Sequence, residues 1–194
     1  GVQNAANAFD FVRGKEAVIA VAIVALLTAM NLRGVRESGA AFAIPTYLFV
    51  GMTLLMIGLG AYQVLVLGAG STATDPLPGA PQMLEPLTLL LVLRAFASGS
   101  VALTGVEAIA NGVPAFKRPE SRNAATTLTV MAALLAILFV GITYVADAFV
   151  IGPSEYQTVV AQVSSTVFGA DSIGFYLFQT FTALILILAA NTSY

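Results

Sequence analysis

Residues 85–123 are EPLTLLLVLRAFASGSVALTGVEAIANGVPAFKRPESRN. Its apolar part is long enough to cross a bilayer, which takes about 20 helical residues. Yet Arg94 and Glu107 lie inside the apolar run, and Gly99, Gly105 and Gly112 interrupt it. An ionisable side chain at membrane depth costs about 2.5–3.5 kcal/mol or more, so it faces a cavity or a partner. Glycine weakens a helix and lets the backbone leave helical geometry. A hydrophobic segment broken by glycine is also the pattern of a discontinuous helix at a transporter's binding site. The stretch is therefore expected to be a broken crossing that carries the function.

Its polar groups are ordered. Ser100, Thr104, Glu107 and Asn111 follow at steps of four, three and four, which is one face of a helix. All of them offer oxygen, and unwinding near Gly105 would add backbone carbonyls. A polar stripe also serves to hydrogen-bond neighbouring helices. For Ser100 or Asn111 alone that use stands beside a functional one; the Glu107 carboxylate favours function.

The rest of the 194 residues fits a membrane setting. The chain is 58% hydrophobic and 9% charged, where soluble domains carry about 25% charged residues. A net charge of −2 supplies no basic field for nucleic acid. With no cysteine and no histidine, disulfides, cysteine or histidine metal sites and Ser–His or Cys–His nucleophile pairs are excluded within the chain. No cofactor is expected. The chain opens on Gly1 and stops at Tyr194 while still apolar, so it is expected to be an internal piece of a longer protein.

Periodicity and breakers give an all-α, single membrane domain. Crossings are expected at about residues 17–32, 43–68, 86–113, 126–151 and 172–191, after a polar lead-in over 1–16. Pro45 is placed near the start of the second crossing, where a missing N–H is best tolerated. Gln63 is the strongly polar side chain of that crossing. Gly152-Pro153 ends the fourth, near Asp147. Ser154 and Gln157 then have capping-box spacing for a further helix at about 154–168, whose Tyr156, Val159, Val160, Val163 and Val167 form one apolar side. Gly169-Ala170-Asp171 ends it. Arg33, Arg36, Lys117, Arg118 and Arg122 fall in two loops on one side, against Arg13 and Lys15 on the other. That bias puts loops 33–39 and 114–123 in the cytoplasm.

The motifs NLRGVRESG, after the first crossing, and ALTGVEAIANGVPAFKRPESRNAATTL, across and after the third, resemble the amino acid-polyamine-organocation (APC) superfamily of secondary transporters. The phrase T-G-V-E-A-I followed by N-G-V-P-A-F-K is most similar to bacterial potassium uptake proteins of the KUP type. The resemblance covers essentially the whole chain and implies a leucine-transporter-like inverted-repeat fold, of which this piece holds family helices four to eight and an extracellular helix. The third crossing would be the broken sixth helix, with solute bound at mid-membrane. Thr104 resembles the family's substrate-contacting hydroxyl, and Glu107 the acid that couples protons. Ser100, Thr104, Gly105, Glu107 and Asn111 are thus the expected solute-binding residues, with a potassium ion at Thr104.

Two transport readings follow. In the first, the Thr104 hydroxyl and freed carbonyls replace part of potassium's water shell, and Glu107 passes a proton. In the second, an amino acid permease, the same carbonyls take an amine and a helix N-terminus elsewhere takes the carboxylate. An intramembrane enzyme would have to use a carboxylate pair, and Asp147, Asp171 and Glu107 are far apart in sequence. A purely structural subunit would require Glu107 to be paired with a cation such as Arg94. The expected partners are the bilayer, a small solute, a proton and the remaining helices of the full-length protein, with a homodimer left open. The expected location is a bacterial inner membrane.

Overall fold

A backbone inside hydrocarbon must satisfy its own hydrogen bonds, and helices do so within one segment. The computed structural model describes residues 2–9, 12–32, 39–70, 88–100, 104–154 and 157–191. These form α1 (Val2–Ala8), α2 (Glu16–Leu32), α3 (Gly39–Leu65), α4 (Leu89–Gly99), α5 (Thr104–Asn111), a 3-10 turn (Val113–Ala115), α6 (Glu120–Ala148), α7 (Val159–Phe168) and α8 (Ile173–Asn191). Among the described residues three stretches are long and apolar enough to cross a membrane: Ala43–Leu65, Glu120–Ala148 and Ile173–Ala190. The 17 residues of α2 reach about 25 Å, the short end of what a crossing needs. Its start is capped by Glu16, whose carboxylate accepts the Gly14 N–H at 3.0 Å. The backbone N–H groups of Glu16 itself and of Gly14 hold that carboxyl below its ordinary range.

The chain divides into two compact units, Gly1–Ala80 with Gly141–Tyr194, and Pro81–Val140. The first is built around Met56 of α3, Val145 and Ala146 of α6, Val163 and Val167 of α7, and Phe178 of α8, all buried. Phe178 lies 6.3 Å from Phe49 and 6.4 Å from Phe168, ring centre to ring centre. Glycines set the α3–α6 distance. A Cβ on Gly60 would stand 2.8 Å from Val145, and one on Gly141 would stand 2.7 Å from Ile57. Each helix therefore offers a gap to a branched side chain of the other, the small-residue packing typical of membrane helices. Because Ile57 pairs with Gly141 and Gly60 with Val145, the two helices run parallel here.

Several boundaries differ from expectation. The lead-in holds a helix, α1, which packs on α8: Ala6 and Val12 are buried, and Phe9 lies 6.0 Å from Tyr176. Its alanines and asparagines give no apolar period, so only tertiary contact reveals it. Pro45 falls beyond the first turn of α3, because that helix begins at Gly39; its missing N–H leaves the Ala41 carbonyl without an intrahelical donor. α6 begins at Glu120, so part of the expected basic loop is helical. There Thr126, Thr127 and Thr129 return their hydroxyls to the carbonyls of Arg122, Asn123 and Ala125. α7 starts at Val159 behind Thr158, whose side chain accepts the Ala161 N–H at 3.2 Å. Thr158 therefore caps the helix in place of Ser154. Tyr156 lies outside the described residues, while Val163 and Val167 are buried and Val159 and Val160 pack against the core.

Candidate functional site

The third expected crossing is two helices. α4 has 11 residues and α5 has 8, about 16 Å and 12 Å long, so neither reaches across a bilayer alone. Thr88 opens α4 by accepting the Leu91 N–H at 3.2 Å. At its other end Ser100 keeps right-handed backbone geometry and donates its N–H to Phe96 O. The Ser100 hydroxyl donates to Ala97 O at 2.7 Å. Residues 101–103, between the helices, lie outside the described residues.

This division changes the reading of the polar row. Thr104, Glu107 and Asn111 share α5, at spacings that put them on one face. Ser100 belongs to the end of α4 instead. Gly105, the expected point of unwinding, sits inside the first turn of α5. A Cβ there would meet Met131 Sδ of α6 at 3.5 Å, ordinary van der Waals contact, so Gly105 is the place where α5 approaches α6. Glu107 lies in the first turn of α5, where the positive end of the helix dipole favours a carboxylate.

Ser100, Gly105, Glu107 and Asn111 are all exposed with respect to the chain's own atoms. The Thr104 side chain lies outside what the structure describes. The sequence places Glu107 among packed helices; in this unit its side chain is exposed, while Gly105, two residues earlier, lies near Met131 of α6. Arg94 is likewise exposed on α4. The ion pair found among the described residues is Arg118 Nε to Glu120 Oε1 at 3.7 Å, with Arg118 95% exposed, a geometry that contributes little. Beyond α5 the chain turns through Val113–Ala115, and Asn123 Nδ2 donates to Lys117 O at 2.8 Å, closing the basic loop onto α6. Asp147 is exposed at the end of α6. Among the described residues no group of three or more acidic, cysteine or histidine side chains could hold a metal ion.

In the other unit two glutamines make the polar ties, one of them the Gln63 that stands out in the sequence. Gln63 donates from Nε2 to Val167 O at 3.0 Å, capping the last turn of α7 from α3. Gln162 Nε2 reaches Gly152 O at 3.0 Å and Gln157 O at 3.2 Å, tying down the segment before α7. A lone glutamine in an apolar run signals a buried hydrogen bond, but the sequence does not say to what.

Three helices of membrane length in an all-helical chain define a multi-pass helical membrane protein. The chain belongs to the amino acid permease family, whose family model matches residues 1–194. It is 42% identical over 194 residues to the potassium transporter KimA of Bacillus subtilis (strain 168), an alignment covering 100% of this chain and 32% of that protein. The chain thus spans about a third of the length of the curated relative it matches. The APC superfamily resemblance, nearest to bacterial potassium uptake proteins, is borne out, as are the all-helical membrane fold and the location in the cell membrane. The matches are to transporters, not to enzymes.

Proposed function

We propose that the protein containing this chain is a proton-coupled potassium transporter working by alternating access, with its solute site at the α4–α5 junction. The observation that carries the reading is the split crossing, with Thr104, Glu107 and Asn111 on one face of its second half. The 42% identity to a relative that is itself a potassium transporter favours potassium over an amino acid. Potassium gives up its water shell to an array of carbonyl and hydroxyl oxygens. We assign that role to backbone carbonyls near the α4–α5 junction and to the Thr104 hydroxyl. Ser100 and Gly105 flank the same junction in sequence. Glu107 is the acid placed to take a proton from one side and release it to the other.

The test is potassium uptake by the intact protein, in cells lacking their own uptake systems, across a range of external pH. Wild-type uptake should rise as the outside is acidified. Glu107→Gln should flatten that dependence and lower the rate about tenfold or more, equivalent to about 1.4 kcal/mol at the limiting step. Thr104→Val should raise KM for potassium more than it lowers the maximal rate. An unchanged pH dependence in Glu107→Gln removes Glu107 from the coupling. Wild-type protein that carries an amino acid and no potassium establishes the permease alternative.

A further inference from the structure

The interior of the first unit holds a polar side chain that bonds to nothing. Gln179 of α8 is fully buried, at 0% exposure, and neither Nε2 nor Oε1 has a hydrogen-bond partner. Its buried polar neighbours in the same unit behave differently. Thr53 donates to Phe49 O at 2.7 Å, Ser164 to Ala161 O at 2.9 Å and Thr182 to Phe178 O at 2.8 Å. Each hydroxyl is satisfied by a carbonyl of its own helix, a route open to short side chains and not used by this glutamine. Phe175, Gln179, Thr182 and Ala183 form one buried stripe of α8 at helical spacing. The amide thus lies inside a packed face, with both of its polar atoms closed off from solvent.

A buried amide with its hydrogen bonds unmade is among the costlier things a core can hold, and native interiors contain few. Burying the amide without partners raises the free energy of the conformation that does so. A carrier has at least two conformations, and any group better satisfied in one of them shifts the balance towards it. Buried hydroxyls on the helices that pack against α8 are Thr53 on α3 and Ser164 on α7. Their hydroxyl protons are committed, while their lone pairs are open to a further donor. The movement required is one of α8 against these helices that brings Gln179 Nε2 to such an acceptor.

We propose that Gln179 is a positioning residue of the transport cycle, its amide unpaired in the conformation seen here and hydrogen-bonded in the opposite-facing one. The proposal rests on the transport reading above, and its test separates the two. Gln179→Met, with Gln179→Leu as a second variant, removes the amide while keeping an apolar side chain of similar length. In the intact protein the melting midpoint should rise by about 2 °C or more, because an unpaired group leaves the core. Labelling of a single cysteine at Ala110, on exposed α5, should change about threefold or more as the balance moves. Maximal potassium uptake should fall about three- to tenfold with KM held, because the return step has slowed.

A midpoint that falls or stays put in the variants overturns the proposal, since the amide would then have a partner in the resting state. So does a rise in midpoint with labelling and uptake both unchanged, which would make Gln179 a packing defect without a role in the cycle. Failure of both variants to accumulate in the membrane overturns it as well. If wild-type protein moves no potassium, the transport reading fails by itself, and the midpoint and labelling still decide the role of Gln179.

Discussion

Val150 is the residue whose backbone is most at odds with its side chain, with φ of 55° just after α6. Its surroundings explain the conformation. Ile151 N–H donates to Ala146 O at 2.8 Å and Val150 N–H to Asp147 O at 3.0 Å, the two reverse bonds that close a helix through a left-handed residue. Ile151 then packs on the core beside Ala146, the apolar contact that accompanies this ending. Glycine normally takes the left-handed position; a β-branched residue there costs about 1–2 kcal/mol. Replacing Val150 by glycine removes that cost and adds back about 0.5–1 kcal/mol of unfolded-chain entropy. The net expectation is a stabilisation of about 0.5–1 kcal/mol, read as a higher melting midpoint of the intact protein for Val150→Gly. A lower midpoint would mean that the valine side chain contributes more than the backbone strain removes. The sequence offers no hint of this strain: the glycine that follows, Gly152, suggests an ending two residues later.

At the scale of elements, the α3–α6 contact depends on hydrogen atoms where other residues carry methyl groups. Val145 at Gly60 and Ile57 at Gly141 approach closer than a Cβ would permit. Gly141→Val should therefore push the helices apart or force side chains off their rotamers, a cost of about 1–3 kcal/mol, visible as a lower melting midpoint and poorer accumulation in the membrane. Gly58→Ala, at a position where a Cβ meets nothing within 4 Å, should lower neither and should raise the midpoint by the roughly 0.5–1 kcal/mol that alanine gains over glycine inside a helix; it serves as the control. These contacts mark the limit of what periodicity reveals. The apolar runs of α3, α6 and α8 are legible because a membrane crossing leaves a long, uniformly apolar signature. The ends are less so, because Thr158 and Ser154 are both acceptable caps and only packing of the following valines chooses between them. The division into α4 and α5 is foreshadowed by Gly99 and Gly105, yet glycine spacing does not say that Gly99 ends one helix while Gly105 lies in the first turn of the next. Gly105 comes near Met131 of α6, but at a distance an alanine would tolerate, so its packing does not by itself explain the glycine.

For the whole molecule, charge predicts the direction of its helices in the membrane, and packing shows which of them run the same way. α3 and the last turns of α6 run parallel, and Gly70, beyond the end of α3, lies beside the end of α6. A Cβ at Gly70 would stand 3.3 Å from the Ala148 carbonyl oxygen. The C-terminal ends of the two helices are therefore together, at the end where the segment between α7 and α8 carries Asp171 and no lysine or arginine. Lys117, Arg118 and Arg122 precede and begin α6, and bases of this kind stay on the cytoplasmic side. The chain contributes no cysteine of its own, which makes the direction measurable. Ser121→Cys, at the exposed start of α6, should react with a membrane-impermeant maleimide only after the cytoplasmic face is opened. Ala170→Cys, exposed between α7 and α8, should react in intact cells. The reverse pattern would invert the direction in which Glu107 meets the proton gradient, and uptake driven by external acid would no longer follow from its position. Both cysteines reacting from one side would mean that α6 does not cross at all. The parallel packing of α3 on α6 would then belong to a protein lying on the bilayer instead of through it.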